Sequence, residues 1–195
     1  MRQALLAGLL TGTGLLWGCA SSTSEEINSA GRKLQVALAP GAGEEIFLRV
    51  DGVGHQIYEC AVRDDAGEAP AWRLSLPDAL LEDAGGRIVG RHGAGPTWTW
   101  PDGSGVIGRV SRSQPAPRAE AIPWLLINAQ PYQNRGVLAQ TTSIQRLETQ
   151  GGVAPAAGCD GAHIGRRATV PYRARYVFWR AVDDADGRTP RETRR

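Results

Sequence analysis

From residue 44 to residue 180, apolar positions recur mostly with a period of two, in runs punctuated by Gly, Pro and Asp. That period puts alternate side chains on opposite faces of an extended chain. Residues 46–50 form a first apolar run. In residues 55–62, Tyr58, Cys60 and Val62 share a face. Trp72, Leu74 and Leu76 alternate with Arg73 and Ser75, and residues 83–86 read as a turn into a strand over 87–92. Residues 97–100 and 106–110 flank Pro101-Asp102-Gly103-Ser104-Gly105, a hairpin signal. Residues 122–128 are nearly all apolar and predict a central strand; 136–147 and 170–179 complete the set. In the last run Tyr172, Ala174, Tyr176 and Phe178 point one way and Arg173 and Arg175 the other. No long stretch shows helical periodicity; residues 77–83 and 117–121 each allow one helical turn. The pattern predicts an all-β fold, an antiparallel β-sandwich or barrel of about 8–10 short strands with little helix.

The two ends of the chain read differently. Arg2 is followed by an apolar run that stops at Gly18-Cys19, interrupted by Gly8, Thr11, Gly12, Thr13 and Gly14. It falls short of the roughly 20 apolar residues of a spanning helix, so residues 1–18 are expected to be a removable signal peptide. Leu16-Trp17-Gly18-Cys19 looks like a bacterial lipobox, with lipid added to Cys19. The alternative is a small-x-small site, Gly18-Cys19-Ala20, that releases an unlipidated chain. Residues 19–43 are then the lipidated cysteine and a flexible tether, since Ser21-Ser22-Thr23-Ser24-Glu25-Glu26 can bury little. Residues 44–180 form one β-rich domain, and residues 181–195 a disordered charged tail.

Charge narrows the partners. The formal net charge is +2 over 195 residues, so nothing points to nucleic acid. Without Cys19, two cysteines remain, Cys60 and Cys159. In an oxidising compartment an even pair predicts one disulfide; the other reading is two free thiols, one of them a metal ligand.

Gly52-Val53-Gly54-His55-Gln56-Ile57-Tyr58-Glu59-Cys60 resembles the GVQIYEC opening of the DUF3455 proteins, secreted by bacteria and fungi. The similarity continues through residues 90–98, 122–126, 142–146, 151–155, 158–160 and 170–172, in colinear order. Gly93 stands where a Tyr is common, and Trp100 is an extra indole. The resemblance implies a secreted, β-rich domain and brings no established activity or site residues. Some fungal members carry a malate dehydrogenase label. This chain has no Gly-x-Gly-x-x-Gly loop between strand and helix to support it.

The densest candidate chemistry lies in residues 92–104. Trp98 and Trp100, two apart, share a face if the strand is regular. Facing outward, they form an apolar platform with N–H donors suited to a sugar ring; facing inward, they are core. Candidate ligand-binding residues are therefore His92, Trp98, Trp100, Asp102 and Trp124. A triad of Ser104, His92 and Asp102 lacks the Gly-x-Ser-x-Gly elbow, so no catalytic residue is assigned. No metal and no cofactor is assigned: His55, His92 and His163 are scattered, and Cys159 is wanted by the disulfide. Arg146, Arg173 and Arg175 either line an anionic pocket or lie on a solvated face. The expectation is a non-catalytic binding or structural domain, lipid-anchored in the outer membrane and facing the periplasm, with a glycan or an envelope protein as partner. The alternatives are a metal- or His-dependent hydrolase, an assembly partner of another envelope protein, and a soluble secreted location.

Overall fold

The computed structural model describes residues 20–62 and 69–182, with side chains from residue 28 onward. Signal peptide, Cys19 and most of the charged tail lie outside the described residues. Helix α1 (Ala20–Ala37) is followed by β1 (Glu44–Ala61), β2 (Ala71–Glu82), β3 (Ile88–Gly93) and β4 (Thr97–Thr99). Then come β5 (Gly105–Gln114), β6 (Trp124–Pro131), β7 (Thr141–Gly151) and β8 (Arg167–Ala181). Each strand pairs antiparallel with the next, and β8 returns to β1 to close an eight-stranded up-and-down barrel. Closure pairs every strand on both sides, but β3 and β4 are short, so among the described residues β2 before Ala79 and β5 beyond Gly108 have no strand partner on that side.

The eight strands match the expected number, and several are longer than expected. The runs at 46–50 and 55–62 are one strand, β1. The glycines between them are strand positions of close approach. A Cβ on Gly52 would lie 2.5 Å from the Tyr176 ring, and one on Gly54 2.5 Å from Ala79 Cα. Residues 77–83, expected to allow a helical turn, instead run in β2 up to Glu82, paired with β1.

The inward set of β8 is the one the alternation predicts. Tyr172, Ala174, Tyr176 and Phe178 join Val50, Leu81, Trp98, Ile127 and Ile144 in the barrel interior. Arg173 and Arg175 face out, where Arg175 pairs with Asp51 at 3.1 Å and with Glu148 at 2.8 Å.

The flexible tether expected over 19–43 is corrected, because α1 lies against the outside of the barrel. Leu34 and Leu38 pack on Trp124, Leu126, Leu147 and Val177. Gln145 Nε2 donates to the Leu38 carbonyl at 2.8 Å, and Arg112 donates to the Ala37 and Ala39 carbonyls. These donors satisfy carbonyls that a helix end leaves unpaired. Among the described residues no helix is long and apolar enough to cross a membrane.

The alternating strand directions give the barrel two unlike ends. At the base, the β6–β7 connection inserts Leu138 into the core, fully buried. At the mouth, the long β7–β8 connection is tied down by a disulfide between Cys60 and Cys159, with Cα atoms 5.3 Å apart. Trp72 Nε1 donates to the Ala157 carbonyl at 3.0 Å in the same loop. The expected cysteine pair is thus formed.

Candidate functional site: a cavity at the barrel mouth

Inward side chains do not fill the mouth half of the barrel. They leave a cavity of about 230 Å³ to which all eight strands contribute: Gln56, Leu74, His92, Trp98, Val110, Ile127, Arg146 and Tyr176, in strand order. Eight strands enclose either a filled interior or room for one small ligand. The floor is deep, with Gln56 and Trp98 each 1 % exposed and His92 3 %. The rim is open and apolar, with Leu74 52 % and Val110 50 % exposed.

Cross-strand pairing builds the floor. His92 on β3 sits opposite Trp98 on β4, and the rings stack with centroids 4.2 Å apart. Tyr176 meets both edge-on, at 5.2 Å from His92 and 5.6 Å from Trp98. A Cβ on Gly108 would lie 2.7 Å from Trp98 Cζ3 and 2.6 Å from Ile127 Cγ2, so only glycine leaves space for the indole there.

The electrostatics are one-sided. His92 Nδ1 lies 2.8 Å from the Thr97 carbonyl, so the neutral ring carries its proton on Nδ1. Burial pushes the His92 pKa down to about 4; the Thr97 hydrogen bond opposes this and the Arg146 charge adds to it. Burial also pushes the Tyr58, Tyr172 and Tyr176 hydroxyls up, with Arg146 opposing in each case. These groups are neutral at pH 7, so among the described residues Arg146 is the only charge lining the cavity. Its Nε and Nη2 donate to the Pro123 carbonyl at 3.1 and 2.9 Å, and among the described residues no carboxylate pairs with it. Two further donors of the lining are buried without a well-formed hydrogen bond: Trp98 Nε1, and Gln56 Nε2, which approaches the Tyr172 hydroxyl.

Of the candidates read from sequence, His92 and Trp98 are brought together here. Of the two orientations left open for the indoles, the structure takes the inward one. Trp98 is interior, Trp100 is half-buried against the barrel core, and Trp124 is buried beneath α1. The reason is that β4 faces Trp98 into the barrel, and a residue of that bulk on a closed barrel's inner face has no solvent to meet. Asp102 is placed at the base, away from the cavity. It accepts hydrogen bonds from Ser104 N at 2.8 Å, Ser104 Oγ at 2.6 Å and Val137 N at 2.7 Å. Ser104 Oγ in turn accepts from Leu138 N at 3.1 Å. These groups latch the base plug, and His92, engaged with Thr97, forms no triad with them. Among the described residues no three His, Cys, Asp or Glu side chains cluster as a metal set. His163 pairs with Asp160 at 2.7 Å.

Sequence reasoning did not single out Gln56, and it grouped Arg146 with two surface arginines. The signal was present in both. Gln56 is a polar residue two before Tyr58 in a buried phase, and Arg146 is two after buried Ile144.

The architecture and cavity define a class: a disulfide-tied, closed up-and-down β-barrel with a small pocket at one end. The chain belongs to the family described as Protein of unknown function (DUF3455), whose model matches residues 40–180. No curated protein and no solved structure matches it.

Proposed function

We propose that this protein is a non-catalytic ligand-binding domain of the bacterial cell envelope, with its site in the mouth of the barrel. The observation that carries the reading is the cavity itself, lined by one inward side chain or more from every strand. Ligand pockets are concave, mostly apolar and furnished with a few converging polar groups, as this one is. The domain is exported and held at the outer membrane, facing the periplasm, through lipid on Cys19. The apolar leader ending at Gly18-Cys19 supports that location, as does Ala20 in the place where Asp favours inner-membrane retention. The disulfide agrees with an oxidising compartment.

The test of the cavity is a titration of the oxidised, unlipidated mature chain (residues 19–195) with octanol, followed by amide and indole NMR. Saturable shifts confined to Gln56, His92, Trp98 and their neighbours are expected. Val110→Trp, which fills the rim, should suppress them. Scattered, non-saturating shifts would count against the reading. Intact mass of protein extracted from membranes tests the anchor, and an unmodified Cys19 would refute it.

A further inference from the structure

We propose that the ligand of this cavity is a small monocarboxylate with an apolar body, its carboxylate held by Arg146, Gln56 and Trp98. The assignment rests on the binding reading above and names the chemistry of the ligand. Three donors line one cavity, and their surroundings leave two of them poorly answered. Gln56 Nε2 and Trp98 Nε1 are nitrogen donors on side chains only 1 % exposed; Trp98 Nε1 has no partner, and Gln56 Nε2 approaches the Tyr172 hydroxyl without a well-formed hydrogen bond. Buried donors are almost always paired, so two such donors in one pocket ask for an acceptor from outside.

Arg146 defines the charge of that acceptor. It brings one positive charge to the cavity, no carboxylate of the described residues neutralises it, and its fork is held in place by the Pro123 carbonyl. A carboxylate is acceptor-only and offers two oxygens, which suits a guanidinium plus separate N–H donors. A sugar would bring many hydroxyl groups, more than the few polar groups of this largely hydrocarbon lining, His92 and Gln56 among them, can answer. A phosphate dianion would carry more charge into an apolar site than one arginine answers.

The walls define the body. Leu74, Leu76, Val110 and Leu125 form a hydrocarbon rim around the polar floor. About 230 Å³ lies below the roughly 300–1,000 Å³ of pockets for drug-sized molecules. A short alkyl chain or a single ring therefore fits, with its far end at the exposed Leu74 and Val110.

The experiment compares octanoate with octanol on the same unlipidated mature chain at pH 7. The two probes share chain length and differ in the head group. Octanoate is expected to bind at least about tenfold more tightly, and to move the Trp98 indole N–H resonance downfield as it gains an acceptor. Arg146→Gln should bring the two affinities together, while Arg146→Lys, which keeps the charge, should retain part of the difference. If octanol binds and octanoate binds no tighter to the native protein, the carboxylate assignment falls and the cavity reading stands. If neither binds, both fall. Should Arg146→Gln fail to fold, the native ratio, the Trp98 shift and Arg146→Lys still decide the matter.

Discussion

His92 and Trp98 stack across β3 and β4 with their ring planes 11° from parallel, and the imidazole is 3 % exposed. A histidine held there must stay neutral, and this has a consequence for stability. The folded pKa is about 4 against an ordinary 6.5. As pH falls below 6.5 the unfolded chain takes up a proton that the folded protein refuses until about pH 4. Stability is therefore highest above 6.5 and declines through that window, by about 3 kcal/mol in total. Urea unfolding at several pH values should show the slope, and His92→Gln should flatten it between pH 4.5 and 6.5. An unchanged slope in the variant would assign the effect elsewhere.

The Cys60–Cys159 bridge closes a loop across 99 positions of sequence. Replacing both cysteines by alanine enlarges the conformational freedom of the unfolded chain. We expect a loss of about 2–5 kcal/mol, read as a lower denaturation midpoint, with little change in the barrel's circular dichroism below the transition.

Gly108→Ala places a methyl group where Trp98 and Ile127 already stand. Overpacking of this kind costs about 1–3 kcal/mol. Because the strain falls on the indole that forms the cavity floor, the same variant should shift the Trp98 indole resonance and weaken octanol binding. Calorimetric unfolding together with the indole spectrum checks both.

Leu38 is fully buried between the end of α1 and the barrel's outer face. Leu38→Ala should cost about 2–5 kcal/mol. Gln145→Ala should loosen the helix more selectively, by removing the donor to the Leu38 carbonyl. Limited proteolysis within residues 28–39 is expected to accelerate in both variants while the barrel resists.

Asp102→Ala removes the carboxylate that takes Ser104 N, Ser104 Oγ and Val137 N. Its hydrogen bond from Ser104 Oγ, then those from Val137 and Ser104 backbone N–H, hold its pKa below the ordinary value. The favoured ionised form is thus present at neutral pH and lost only as acid is approached, so the latch weakens in acid. Hydrogen exchange at Val137 and Leu138 should quicken in the variant at pH 7, and octanol binding at the opposite end should be unaffected.

The sequence was a good guide wherever one strand's own periodicity decides the outcome. Tyr172 to Phe178 declare an inner and an outer face by themselves, and the barrel uses both. The cysteine pair was likewise readable from the even number left once Cys19 is set aside. Longer-range geometry was not. Gly52 and Gly54 looked like a break, because the Tyr176 ring and the β2 backbone that explain them come from other strands. Helix α1 was hidden behind a polar start, although Leu34 and Leu38 stand four apart. Gln56 and Arg146 meet around a common space only when β8 closes on β1, so no local window contains the site. Half of the candidate pair His92 and Asp102 belongs to the cavity, and the other half latches the base.

The direction of α1 would set which end of the barrel faces a membrane if the proposed lipid on Cys19 is present. Trp124, at the mouth end of β6, lies against Gly31, whereas Leu38, just past the helix end, is held by Gln145, further from the mouth along β7. Read backwards, the helix therefore runs toward the mouth end, and at 18 residues it is about 27 Å long. Residue 19 directly precedes it. With an acyl group at that residue, the mouth end of the barrel would lie nearer the leaflet than the base latched by Asp102 and Leu138.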